Sequence, residues 1–334
     1  MKKIVHMSSE DKKFIFNYAA NKLKMHPAII EKDFWICYIL EYLFNYSKYK
    51  NFFTFKGGTS LSKSYSVIKR MSEDIDLILD WESLGIPKNE PYENRSKRQQ
   101  EIYNAKLREL TGRFLENELY NDLLVGLKDI ENLKIVVLPS DQIINIYYPM
   151  EYSSVNIGIL PCVRLEIGSL AAWTPATYRE VSPYIRETME NYNISSITIR
   201  TSSISRSFYE KITILHREVN RSINKKMPTR YARHYYDVYN IYNSKYFSEI
   251  LLNIDLLKQV TLFKMKFYAD NWANYQDILN NQIRLVPPEY RMKELNIDYS
   301  LMKEMIIGDC PSIEDIINSL KSLEEELNKL LQGK

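Results

Sequence analysis

The spacing of apolar positions changes along this chain, and the changes mark its elements. Phe14, Ile15, Tyr18, Ala19 and Leu23 recur at helical spacing behind a start signal of Ser8 or Ser9 with Glu10 and Asp11. Pro27 suits the first turn of a second helix, from His26 to about Tyr46, with Ile30, Phe34, Ile36, Cys37, Leu40 and Leu43 on its buried side. Glu31-Lys32-Asp33, early in that helix, reads as a solvated helix start rather than as part of a substrate site. The period then shortens. Strands are predicted over 52–55, 75–79, 133–138, 143–148, 159–167 and 197–201, with a polar, proline-containing loop over 80–98 placed to cover a site and a helix over 97–119. Helical periodicity returns over 205–220, 229–242, 254–268 and 312–331. The pattern predicts an α+β protein. A mixed sheet of about five or six strands, flanked by helices, occupies residues 1–202, and a mainly helical domain occupies 203–334.

Composition narrows this only a little. The 334 residues suffice for two domains, and 45% apolar with 26% charged residues is the balance of an ordinary soluble protein with a substantial core, which excludes a disordered chain. A formal net charge of +3 is too small to argue for nucleic acid by itself. Cys37, Cys162 and Cys310 lack CxxC spacing and read as reduced core residues. The basic stretch over residues 1–7 has no apolar core of a signal peptide, and no run reaches the length of a membrane span. A cytoplasmic protein with no membrane partner is expected.

The candidate chemistry lies at two motifs. In Lys56-Gly57-Gly58-Thr59-Ser60-Leu61, paired glycines after an apolar strand suit a tight strand-to-helix turn that lets a ligand approach the backbone. The free N–H groups of the following short helix favour phosphate, with the Thr59 and Ser60 hydroxyls as further donors and Lys63, Lys69 and Arg70 close behind. In Ser72-Glu73-Asp74-Ile75-Asp76-Leu77, alternation puts Asp74 and Asp76 on one face of a strand. Paired carboxylates repel unless a cation sits between them, and Mg²⁺ or Mn²⁺ shared with substrate phosphates is the common solution. Either motif alone is ordinary. In this order and separation they point to a site for a nucleoside triphosphate and a divalent metal.

Other residues would complete it. A two-metal transfer needs a third carboxylate. Glu166, in the apolar strand of Arg164-Leu165-Glu166-Ile167, is the candidate, although Arg164 on the same face offers it a structural ion pair instead. Lys211, on a helix whose Phe208, Ile212 and Leu215 pack inward, and Arg217 on the same helix are candidates to face the phosphates, Lys211 balancing charge on leaving pyrophosphate. Arg233 and Asp237 stand four apart on one helical face. They form either an intrahelical salt bridge or a pair in which Arg233 reaches phosphate while Asp237 orients Arg233 or Lys211. His234 reads as an ordinary helix residue.

The ordered set Lys56–Leu61, Ser72–Leu77, Glu210–His216 and Arg230–Asp237 resembles the AbiEii/AbiGii nucleotidyltransferase toxin family of the DNA polymerase β-like nucleotidyltransferase superfamily. The resemblance runs from about Ile29 to about Tyr242. It implies a nucleotidyltransferase-like sheet with a helical C-terminal part, and the toxin of a bacterial toxin–antitoxin or abortive-infection pair. By position, Gly58 and Ser60 would bind triphosphate, Asp74 and Asp76 metal, Lys211 would assist transfer and Asp237 would support it. An RNA acceptor, transfer RNA, is implied by the resemblance alone, as is an antitoxin encoded beside the toxin. A protein acceptor, a nucleotide- or RNA-binding module with little catalysis, and nucleotidylation of an antibiotic are the competing readings.

Overall fold

The computed structural model describes residues 1–153, 159–170 and 175–333, which divide into two compact units. The first comprises residues 1–65 and 72–202, the second 66–71 and 203–334.

In the first unit, α1 (Lys2–Val5), α2 (Ser9–Leu23) and α3 (Pro27–Glu41) precede β1 (Phe53–Lys56), α4 (Gly57–Lys63) and β2 (Asp74–Leu79). Then follow α5 (Lys97–Phe114), α6 (Tyr120–Gly126), β3 (Lys134–Leu138), β4 (Ile143–Tyr147), β5 (Val163–Gly168), β6 (Ala176–Val181) and β7 (Ile197–Ser202). Local signals start the helices as the sequence suggests: Ser8 accepts the Asp11 N–H at the head of α2, and Pro27 opens α3 behind His26, whose ring nitrogen accepts the Ala28 N–H. The core gathers Phe34, Trp35 and Leu40 of α3 against Phe53 and Phe55 of β1, Ile75 and Leu77 of β2 and Leu165 of β5. Full burial of each such side chain contributes about 1.5–3 kcal/mol.

The strands form one mixed sheet in the order β3-β4-β5-β2-β1-β7-β6. β1 is antiparallel to β2 and parallel to β7, and β2 is parallel to β5, so the strand bearing Asp74 and Asp76 lies in the interior of the sheet. Among the described residues seven strands stand where about five or six were expected. The additional one, β6, is Ala-Thr-Tyr-Arg-Glu-Val at a sheet edge, and it lacks the apolar alternation that reveals a half-buried strand. β5 begins at Val163 rather than near 159. The expected loop over 80–98 contains helical turns over Trp81–Leu84 and Glu90–Tyr92, and buried Trp81 donates its indole N–H to the Ser169 carbonyl, so this segment is pinned at its start.

The second unit is helical: α7 (Ile204–Val219), α8 (Ala232–Tyr242), α9 (Phe247–Leu252), α10 (Asp255–Phe267), α11 (Tyr275–Leu279), α12 (Met292–Lys303) and α13 (Ile313–Leu331). A capping box, Ser312 with Asp315, starts α13. The segment Ser66–Met71, lying in sequence between the two motifs, belongs to this unit. Its backbone pairs with residues 305–307, the Met71 N–H donating to the Met305 carbonyl and the Ile307 N–H to the Lys69 carbonyl, each at 2.7 Å. Among the described residues, no helix is long and apolar enough to cross a membrane.

Candidate active site

β1 ends at Lys56, and the chain turns at once into α4. Gly57 makes the turn at φ +78°, a conformation side chains rarely adopt. No side chain caps the N-terminus of α4. The antiparallel register sets Lys56 beside Asp76, so the turn abuts the acid pair: a Cβ on Gly57 would lie 1.8 Å from Asp76 Oδ2. The glycine is required twice, for its dihedral and for the space the carboxylate occupies.

Thr59 and Ser60 differ from expectation. Both are buried, and their hydroxyls serve the backbone: Thr59 Oγ1 donates to the Asp74 carbonyl at 2.5 Å and Ser60 Oγ to the Gly57 carbonyl at 2.9 Å. Thr59 therefore ties α4 to the start of β2, and Ser60 steadies the turn. Neither hydroxyl is held out toward a ligand in this arrangement.

Asp74 and Asp76 share a face of β2, with Arg164 and Glu166 as their parallel neighbours on β5. Arg164 Nε donates to Asn145 Oδ1 at 3.1 Å. Among the described residues Asp74 Oδ1 is buried without a hydrogen-bond partner, a state that costs free energy. Burial, then the charges of Glu73 and Asp76, push the Asp74 carboxyl above the usual carboxylate range. An all-oxygen donor pair with an orphaned oxygen and mutual repulsion fits a hard divalent cation, which would relieve both penalties. Glu166 is exposed beside Asp76, but no three His, Cys, Asp or Glu side chains among the described residues are grouped closely enough to hold an ion.

The Glu31-Lys32-Asp33 triplet overturns the expectation of a solvated helix start. All three are buried, and each grips a different segment. Glu31 accepts the N–H groups of Glu151 and Tyr152 at 2.7 and 3.0 Å. Lys32 donates to the carbonyls of Leu160 and Cys162 and lies 3.6 Å from Glu73, which itself accepts the Leu160 N–H. Asp33 accepts Lys63 at 2.5 Å and the Tyr184 N–H at 2.6 Å. The signal was available: α3 is apolar almost all round, so charges within it have no solvent face to occupy. Lys63, close behind the glycine turn in sequence, pairs with Asp33 and lies over the Tyr184 ring.

In the second unit Asp237 is fully buried between two cations. Arg70 reaches its two oxygens at 2.7 and 2.8 Å, and Lys211 Nζ reaches Oδ2 at 2.7 Å. Burial alone would raise the Asp237 carboxyl, but Arg70 and then Lys211 hold it well below the usual range. Burial lowers Lys211, and Arg70 adds to this against the pull of Asp237. Asp237 thus takes Lys211, one of its expected partners. The other cation on the carboxylate is Arg70 rather than Arg233. No sequence pattern signals an ion pair between residues so far apart in the chain. Arg217, the other cation of α7 considered for phosphate, pairs with Asp270 at 2.8 Å. His234 is pushed well below the usual histidine range, first by burial and then by Lys211 and Arg233.

Residues 38–325 match the family described as nucleotidyl transferase AbiEii toxin, type IV TA system. Among solved structures, the MenT4 nucleotidyltransferase toxin from Mycobacterium tuberculosis H37Rv aligns over 97% of this chain and 99% of its own, at 12% identity and a TM-score of 0.47. No curated protein matches the chain.

Proposed function

The chain belongs to the AbiEii nucleotidyltransferase toxin family of type IV toxin–antitoxin systems, and from that premise we propose that it transfers a nucleotide from a nucleoside triphosphate to an acceptor hydroxyl on RNA, transfer RNA foremost. The observation that carries the reading is the junction of Gly57 with Asp76, which sets a glycine turn beside two acids on one strand face.

In the proposed reaction the acceptor oxygen forms a bond to the α-phosphorus as the bond to the β-phosphate oxygen breaks, and pyrophosphate departs. The Gly57-Gly58 turn and the uncapped N–H groups at the start of α4 bind the β- and γ-phosphates. Asp74 and Asp76 would hold Mg²⁺ or Mn²⁺, which when bound supplies phosphate polarisation and lowers the pKa of the acceptor hydroxyl. Glu166 is proposed as a further acid, supported by its register beside Asp76. Lys211, paired with Asp237 at 2.7 Å, and Arg233 are proposed to assist transfer. A cytoplasmic toxin restrained by an antitoxin from the adjacent gene is the biological setting this implies.

Incubation of the purified chain with Mg²⁺, each labelled triphosphate and total RNA tests the proposal. Nuclease-sensitive label that disappears with Asp76→Asn is the expected result. Protease-sensitive label would shift the acceptor to protein, and no label with any nucleotide would reduce the chain to a binding module.

A further inference from the structure

Between Val219 and Tyr236 the chain carries Arg221, Lys225, Lys226, Arg230 and Arg233 and no acid. In a protein of formal charge +3 these five cations are a local concentration rather than a share of general basicity. Most of them ride on the loop joining α7 to α8, the helices that bear Lys211 and Asp237.

That loop is anchored through its backbone. Buried Arg291 donates to the Ser222 carbonyl at 2.5 Å and also to the Lys225 carbonyl, while the Tyr290 hydroxyl donates to the Arg221 carbonyl at 3.3 Å. Glu294 accepts the Met227 N–H at 3.0 Å, and Asp298 accepts the N–H groups of Arg230 and Ala232 at 2.6 and 2.7 Å. Residues 290–298, at the start of α12 and in the turn before it, therefore fix the main chain. The side chains of Lys225, Lys226 and Arg230 remain exposed. Arg217 and Arg221 are neutralised by Asp270 and Glu218, and both lie over the half-buried Trp272 ring. Lys225 and Lys226 form no ion pair with the described residues.

A fixed loop that presents exposed lysines outside any direct ion pair suits a polyanion, because the backbone ordering that binding would otherwise require has already occurred. A protein interface calls for an apolar centre, and this loop exposes little beyond Ile223 and Pro228. Phosphates in series need only cations at the right height and spacing. We infer that the α7–α8 loop is a docking surface for the sugar–phosphate backbone of RNA, with Lys225 and Lys226 as phosphate contacts. This rests on the reading that RNA is the acceptor, and it adds the part of the chain that grips it.

The test measures binding of a fluorescent single-stranded oligoribonucleotide to the full chain without triphosphate, as a function of salt. Lys225→Ala with Lys226→Ala removes two exposed ammonium groups and leaves every backbone anchor intact. The slope of log K against log salt should fall in magnitude by about 1.4, at roughly 0.7 per lost single-strand phosphate contact, with binding at low salt weakened about tenfold. A charge-matched control, Lys2→Ala with Lys3→Ala in the first unit, should leave the slope unchanged. An unaltered slope in the loop variant, or no RNA binding by the wild-type chain, overturns the inference. So does retained RNA binding with loss of binding to polyglutamate, which would assign the loop to an acidic protein. The reading of function fails separately, on absence of label transfer by the wild-type chain.

Discussion

The carboxylate of Asp76 occupies the space into which a side chain at Gly57 would project, with a Cβ there only 1.8 Å from Oδ2. Gly57→Ala must therefore displace the acid as well as strain a backbone at φ +78°, the latter costing roughly 1–2 kcal/mol. Gly85 has a similar φ of +73° but nothing within 4 Å of its Cβ position, so Gly85→Ala carries the strain alone. Both variants should melt somewhat earlier by circular dichroism. Only Gly57→Ala should lose transfer, by about a hundredfold or more, since misplacement by an ångström suffices for such a loss. Equal activities would detach the turn from the chemistry.

Asp74 makes a thermodynamic prediction that needs no turnover. Its carboxyl titrates above the ordinary range in the fold, so stability falls as pH rises through that value and returns on acidification. A bound cation reverses the penalty. Mg²⁺ should raise the melting temperature of the wild-type chain at neutral pH, by the equivalent of about 2.7 kcal/mol at a hundred times Kd. Asp74→Asn should melt higher than wild type without metal and respond little to it. A metal response that survives in the variant would move the cation elsewhere.

The two motifs were legible because each is local: a glycine pair after an apolar strand, and acids at alternate positions of the next. Periodicity also found α2, α3, α5 and the core strands. What stayed hidden was long-range pairing. Lys63 and Arg70 follow close behind the glycine motif, yet each is neutralised by an acid remote in sequence, Asp33 and Asp237. Thr59 and Ser60 look the same in sequence whether their hydroxyls meet a ligand or the backbone. The edge strand β6 escaped because a strand with little buried surface has no pattern to show.

The Arg70–Asp237–Lys211 cluster is a buried acid between two cations, and its parts should couple strongly. Asp237→Asn leaves two buried cations without their counter-ion and should destabilise the chain by about 3–5 kcal/mol in urea unfolding. Adding Arg70→Met removes one of the stranded charges. The double variant should be more stable than Asp237→Asn alone, a non-additivity expected of contacting groups. Because the Asp237 carboxyl is depressed, its contribution is present above the ordinary aspartate range and is lost only as pH falls toward its folded value. Additive effects would show that the contacts carry no net energy.

Glu31 supplies the opposite sign near neutrality. Burial pushes it up to about 7 from 4.5, against the two N–H groups it accepts and against Lys12. A raised acid favours the fold while protonated, so the wild-type chain should lose stability as pH rises through about 7. The shift corresponds to at most about 3 kcal/mol at high pH, at 1.36 kcal/mol per unit. Glu31→Gln cannot ionise, and keeps a carbonyl oxygen for one of the two N–H groups while its amide nitrogen meets the other, so its absolute stability should fall even as its pH dependence is removed. Urea unfolding at pH 6 and pH 8 should give a smaller difference for the variant than for the wild-type chain. An identical difference would mean that Glu31 is ionised throughout this range, with its two backbone donors outweighing its burial.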